Sequence, residues 1–176
     1  MKKLLLNGLL GMALVVGFAT LSLRAQTVQN CTGEQLALKE TEGDADIGGK
    51  RFGNYVFTNI SSGACLLSGF PNFALMNKAG RVVTSAGVTY KNNLFSESEE
   101  EAGTNPPKIT LEPGKTAWFQ IYYNDGMALA RKKPAPIYSK VQIKAPNTQR
   151  KFVLKSEIQA CCGVQVSSIR DGLPSQ

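Results

Sequence analysis

Apolar residues in this chain recur at every second position, in short runs cut by turn formers, and that period constrains the fold more than any other feature. Across Phe52 to Ile60, Tyr55 and Phe57 fall on one side of a strand while Val56, Thr58 and Ile60 fall on the other. Leu36 and Leu38 alternate ahead of it. Further strands are expected at Phe73 to Met76, Arg81 to Thr84, Gly87 to Tyr90, Ile109 to Leu111 and Ala117 to Tyr123, then at Ser139 to Ala145, Phe152 to Leu154 and Val164 to Ile169. Aromatic and β-branched side chains dominate these runs, as half-buried pleated surfaces prefer. Between them lie Asn77 to Gly80, Asn124-Asp125-Gly126, Pro146-Asn147 and Glu112-Pro113-Gly114. In the last of these, proline presets its own φ and glycine accepts the positive φ that a type II turn demands. With no ten-residue helical pattern, the chain reads as all-β: an antiparallel sandwich or barrel of about seven to nine strands.

The first residues follow a different rule. Met1-Lys2-Lys3 is cationic, Leu4 to Leu23 is almost wholly apolar, and Leu23-Arg24-Ala25 ends in a small residue. This is the pattern of a secretory signal peptide cleaved after Ala25, with Ala19 as the second choice. An uncleaved anchor is the rival reading, since twenty apolar residues just reach across a bilayer. Cys31 follows Val28-Gln29-Asn30 rather than a small-residue box, so no lipid anchor is expected. Residues 26–176 are then one β-sandwich domain, secreted or periplasmic, with no membrane span after cleavage.

Export decides how the four cysteines are read. Cys31, Cys65, Cys161 and Cys162 are expected as disulfides rather than metal or redox groups. Adjacent cysteines seldom bond each other, which leaves Cys31–Cys161 with Cys65–Cys162, or the swapped pair. The rivals are a vicinal redox pair at Cys161-Cys162 and a soft-metal site made by those two with Met127.

At this stage the residues carry a resemblance. Glu42-Gly-Asp-Ala-Asp-Ile-Gly-Gly-Lys-Arg-Phe-Gly-Asn-Tyr-Val-Phe-Thr-Asn59, then Ala64-Cys65-Leu66-Leu67-Ser68-Gly69-Phe70-Pro71, then Leu111-Glu-Pro-Gly-Lys-Thr-Ala117 resemble the bacterial secreted family called domain of unknown function 4232, over about residues 31 to 168. The resemblance implies an immunoglobulin-like β-sandwich in exported bacterial proteins, with no activity to transfer. This chain lacks the family's lipid-anchor cysteine and has no cysteine around Ala130 to Ile137; Cys161-Cys162 would supply that missing partner. Asn59, Cys65, Gly69, Phe70, Pro71, Pro113 and Gly114 form the structural motif. Gly69 allows a backbone path that a Cβ would hinder, Pro71 stiffens the corner, and Phe70 and Phe73 supply core area.

Function is less legible. The absence of histidine removes imidazole-based hydrolysis and the common histidine-ligated metal sites. Asp44 and Asp46 begin like a calcium loop, but Gly48 and Tyr55 stand where ligands belong, so no metal is expected. Glu97 to Glu101 reads as a solvated loop tip. Cations outnumber acids, 20 to 13, and Arg131, Lys132, Lys133, Lys140 and Lys144 form a candidate anion-binding strip, with Lys140 and Lys144 sharing a strand face by parity. Edge protection and solubility explain the same lysines. In the strand holding Trp118, Phe119, Tyr122 and Tyr123, half the rings should face the core by alternation and the rest are candidates for an exposed platform, with core packing the default. Carboxylates such as Asp125 and Glu157 are present, yet nothing places two of them across a cleft. The expectation is a non-catalytic module without a cofactor, binding or structural at the cell envelope. Its partner would be an envelope glycan, an anionic surface or another protein, with no specific nucleic acid. A vicinal-cysteine redox or soft-metal protein, or a carboxylate hydrolase, is the alternative.

Overall fold

β2 (Lys50–Asn59) and β7 (Thr116–Asn124) pair antiparallel from Lys50 opposite Asn124 to Thr58 opposite Thr116, and the rest of the fold is laid against this pair. The computed structural model describes residues 27–43, 49–94, 105–125 and 135–174. Outside them lie the expected signal peptide, Asp44 and Asp46, Glu97 to Glu101, Met127, and Arg131-Lys132-Lys133.

On one side of this pair β1 (Leu36–Thr41) joins β2; on the other β10 (Val164–Ser167) joins β7, both antiparallel. β5 (Val88–Lys91) lies parallel to β10, and β11 (Arg170–Asp171) continues along β7. A second sheet has the order β4 (Asn72–Met76), β8 (Ile137–Lys144), β9 (Phe152–Gln159), so β9 is an edge strand. β3 (Cys65–Ser68) and β6 (Lys108–Leu111) form a separate antiparallel ribbon. The protein is all-β as expected: among the described residues the only helical segments are single 3-10 turns at Gly33–Gln35 and Thr84–Ala86, and no helix is long and apolar enough to cross a membrane.

Alternation decides what enters the core. From the first sheet Leu36, Tyr55, Phe57, Ala117, Phe119 and Ile121 point inward; from the second, Phe73, Leu75, Val141 and Ile143 meet them in one buried cluster. Tyr55 stacks on Phe119 at 5.2 Å and reaches across to Phe73 at 6.0 Å, while Phe57 meets Phe152 edge-on at 6.0 Å. Such aromatic pairs add about 0.5–1.5 kcal/mol each beyond the area they bury.

Asn59, at the end of β2, holds three segments together. Its side-chain amide donates to the carbonyls of Gly63 and Leu111, both at 2.8 Å, and its Oδ1 accepts from the Ser61 N–H at 2.9 Å and the Ser61 hydroxyl at 2.7 Å. The backbone carbonyl of Asn59 accepts from Gly114 N–H at 2.8 Å. The Pro113-Gly114 turn forms as the sequence predicts: Gly114 has φ 74° and Lys115 N–H closes onto Glu112 O at 3.0 Å. Gly69 has φ 107°, a conformation that strains any side chain, and its carbonyl accepts from Ile169 N–H at 3.1 Å.

Several expectations are corrected. Among the described residues there are eleven strands rather than seven to nine. Cys65–Ser68 and Arg170–Asp171 were not foreseen as strands, and β9 runs well past Leu154. Arg81 to Thr84 is no strand: Val82 pairs only with Met76, and a 3-10 turn follows. The reason is local, because Asn77 Oδ1 captures the Arg81 N–H at 3.0 Å and tightens the turn. Phe70 is not a core residue; it is half-buried and packs on the exposed ring of Tyr90 at 5.5 Å, leaving the core to Phe73.

The disulfide connectivity also differs. Cys31 bonds Cys65, and Cys161 bonds Cys162. Cys31 N–H donates to Leu66 O at 3.0 Å and Leu66 N–H to Gln29 O at 2.8 Å, so the N-terminal segment runs beside β3 and brings the two Cα atoms to 4.7 Å. Closing this 34-residue loop stabilises by roughly 4 kcal/mol in the chain-entropy model. The expectation that the adjacent Cys161 and Cys162 bond elsewhere is overturned. They sit in the turn between β9 and β10, where neighbouring side chains need not diverge. The Cys161–Cys162 pair therefore does not supply a partner for Cys31 or Cys65.

Candidate functional site

Strand β9 carries the site because it is the edge of its sheet and lies beside β1, the edge of the other. Along β9, Ser156 points toward the interlayer space while Lys155 and Glu157 stay exposed. On β1, Leu36 and Leu38 pack in the core, and the next inward position is Glu40. A carboxylate at an inward position is tolerated here because the layers open at this end and leave Glu40 solvated.

Two buried-side hydroxyls converge on Glu40. Tyr55, its cross-strand partner, donates to Oε1 at 3.2 Å, and Ser156 donates to the same oxygen at 2.9 Å from the other sheet. Oε2 has no protein donor among the described residues. Burial, and after it the charge of Glu40, pushes the Tyr55 phenol far above its ordinary value, so it remains a donor throughout the physiological range. Tyr123 is likewise pushed up, chiefly by burial. Together with Phe52, Lys155 and Glu157 these residues line an open cleft of about 430 Å³. Arg51, on its rim, donates from Nε to Asp125 at 2.8 Å, so that carboxylate is committed to an ion pair.

A second cleft of about 510 Å³ adjoins the first across β9 and shares Lys155, Ser156 and Glu157 with it. Its other walls are Lys78, Ile137, Ser139 and Lys140. Lys140 stands directly opposite Lys155 in the β8–β9 pairing, an arrangement of like charges that costs stability unless an anion answers it. Among the described residues none of Lys78, Lys140, Lys144 and Lys155 forms an ion pair. The register breaks between Tyr138 and Lys140, where Ser156 and Glu157 of β9 together face the single residue Ser139 of β8, whose buried hydroxyl has no hydrogen-bond partner.

The structure thus brings Lys140 together with Lys155 and Lys78, while Lys144 lies on the same face of β8, four residues further along and opposite Asn72. Arg150, another cation of this region, donates to Gly33 O at 3.0 Å and covers the Phe152 ring, a structural contact. The aromatic strand is not an open platform. Phe119 is in the core, Tyr122 packs on Phe52 at 5.3 Å, and Trp118 lies under the Arg170 guanidinium at 5.4 Å. Asn59, Gly69, Pro71, Pro113 and Gly114 serve the fold, away from both clefts. Glu40, Ser156 and Ser139 were missed in the sequence. The signal available for Glu40 was its parity, since Leu36-x-Leu38-x-Glu40 continues the inward row. Among the described residues no group of three or more metal-ligating side chains is gathered.

A family model described as "Domain of unknown function (DUF4232)" matches residues 31–171, from the first disulfide cysteine to the end of β11. No curated protein and no solved structure matches the chain.

Proposed function

The chain belongs to the DUF4232 family of domains of unknown function, and on that premise we propose that it is a secreted, non-catalytic module that binds at the bacterial cell envelope through the two clefts flanking β9. We read its fold as one immunoglobulin-like β-sandwich over residues 26–176, released from a signal peptide over residues 1–25. Antiparallel sheets meeting through Tyr55, Phe57, Phe73 and Phe152 support the sandwich reading. The cationic and apolar start supports export, as do two disulfides, which persist in oxidising compartments. A binding role, rather than catalysis, fits the commitments of the carboxylates: Asp125 is paired with Arg51, and Glu40 holds two hydroxyls that need no activation.

The observation that carries the reading is the opposition of Lys140 and Lys155 in an open cleft where, with Lys78, they outnumber its one carboxylate, Glu157, and form no ion pair among the described residues. Residues 26–176 should co-sediment with the envelope fraction of the producing cell, and the double variant Lys140→Gln/Lys155→Gln should lose most of that binding. Equal sedimentation of variant and wild type refutes the reading. A redox role is the second reading, favoured by the bond between Cys161 and solvent-exposed Cys162. It requires that Cys161→Ser/Cys162→Ser abolish the function; under the binding reading that variant sediments as wild type does.

A further inference from the structure

We propose that the two clefts form one site for an acidic polysaccharide, a chain of sugars bearing both free hydroxyls and carboxylates; this rests on the envelope-binding reading and names its ligand class. Lys155, Ser156 and Glu157 line both clefts, so a ligand on β9 touches both at once. The second cleft sets Lys78 and Lys140 beside the shared Lys155 and Glu157, three cations to one carboxylate, an excess that asks for an anion. The first cleft adds Glu40 to the shared Lys155 and Glu157, with its Oε1 already fixed by Tyr55 and Ser156 and its Oε2 without a donor among the described residues. Those carboxylates ask for hydrogen-bond donors and repel a second anion.

Simple anions satisfy one half only. A phosphate, a nucleic-acid backbone or an anionic lipid headgroup placed on the lysines leaves the carboxylates facing more negative charge. A neutral glycan satisfies the carboxylates with its hydroxyls but leaves the opposed lysines uncompensated. A uronic-acid chain supplies both: hydroxyls donate to Glu40 and Glu157, while the carboxylate of the same or the next ring lies between Lys140 and Lys155. Three strand residues span about 7 Å between the first and third Cα, the scale of one sugar and its linkage. The Tyr123 ring, on the sheet face that Tyr55 and Ile121 share, adds an apolar surface against which a sugar ring packs.

The test is calorimetric titration of residues 26–176 with an alginate-derived hexauronate, with maltohexaose as the neutral match, and with inorganic phosphate and phosphatidylglycerol vesicles as pure anions. Hexauronate should bind at least tenfold tighter than any of the other three. Lys155→Gln should weaken it at least tenfold. Glu40→Gln keeps an oxygen for Tyr55 and Ser156 but removes the charge, and should weaken hexauronate severalfold. Lys151→Gln, an exposed cation that lines neither cleft, should bind as wild type and controls for net charge. Tighter hexauronate binding by Glu40→Gln would show that only charge matters and overturns the proposal. So does equal binding of maltohexaose, phosphate or vesicles. If envelope sedimentation depends on Lys140 and Lys155 while hexauronate does not bind, the ligand class is wrong and the binding role stands. If hexauronate binds but the envelope does not, the site stands and the proposed role fails.

Discussion

Replacing Asn59 by alanine should be among the most damaging single changes in the chain, although no hydrophobic volume of consequence is lost. Asn59 is fully buried, and its side chain makes four hydrogen bonds to Gly63, Leu111 and Ser61. These are not equivalent. The bond to Leu111 O is buried, where water does not take its place, and its loss costs about 0.5–1.5 kcal/mol net. Those to Gly63 and Ser61 are only part-buried, and water replaces them at a net loss of about 0.5–1 kcal/mol each. The sum is roughly 2–4.5 kcal/mol, equivalent to a fall in Tm of about 5–15 °C for a domain of this size. Urea unfolding of residues 26–176, followed by tryptophan fluorescence from Trp118, gives the difference directly if the slope is unchanged. Asn59→Asp separates donor from acceptor roles. It keeps the oxygen that Ser61 needs but sets a carboxylate against two carbonyls, so at neutral pH it should destabilise at least as much as alanine. Either variant unfolding within 1 kcal/mol of wild type refutes the assignment of Asn59 as the tie between β2, the 61–63 turn and β6.

Three further outcomes follow from burial and titration. Phe73→Ala should cost about 3–5 kcal/mol, whereas Phe70→Ala, half-exposed against Tyr90, should cost about 1–2 kcal/mol; comparable losses in urea melts contradict the placement of the two rings. Native residues 26–176 should show no free thiol, and mild reductant should expose Cys161 and Cys162 to alkylation before Cys31 and Cys65, because Cys162 is exposed while Cys31 and Cys65 are buried; simultaneous labelling by mass spectrometry argues against it. Tyr55 has its folded-state pKa raised above the ordinary value of 10.0, so the folded state holds the proton that the unfolded chain releases, and stability present below pH 10 is lost as pH rises beyond it. Thermal melts should steepen downward above pH 10, and Tyr55→Phe should flatten that decline; identical alkaline profiles would count against the buried phenol, with Tyr123 and Tyr138 supplying the remainder through the same burial effect.

The class of fold was legible in the chain because alternation is a local property. Tyr55 and Phe57, Phe119 and Ile121, Val141 and Ile143 are each placed by parity, and each is buried. The Pro113-Gly114 turn was legible for the same reason, since its chemistry resides in adjacent residues. Strand ends were less so: β9 looks short because Lys155 and Glu157 follow Leu154, yet on an edge strand exposed charges are compatible with pairing. The family followed from motifs that are themselves local, the corner at Cys65 to Pro71 and the hairpin at Leu111 to Ala117.

What tertiary structure alone decided is which distant segments become neighbours. Cys31 meets Cys65 because the N-terminal segment happens to run beside β3, a register that no spacing between cysteines encodes. Lys140 opposes Lys155 only because the β8–β9 register runs unbroken from Ile143 opposite Phe152, and Ser156 reaches Glu40 only because two edge strands from different sheets end side by side. Periodicity dictates which way each side chain points, since that depends on the residue and its nearest neighbours. Which groups then face one another depends on long-range pairing, whose energy is shared over the whole core.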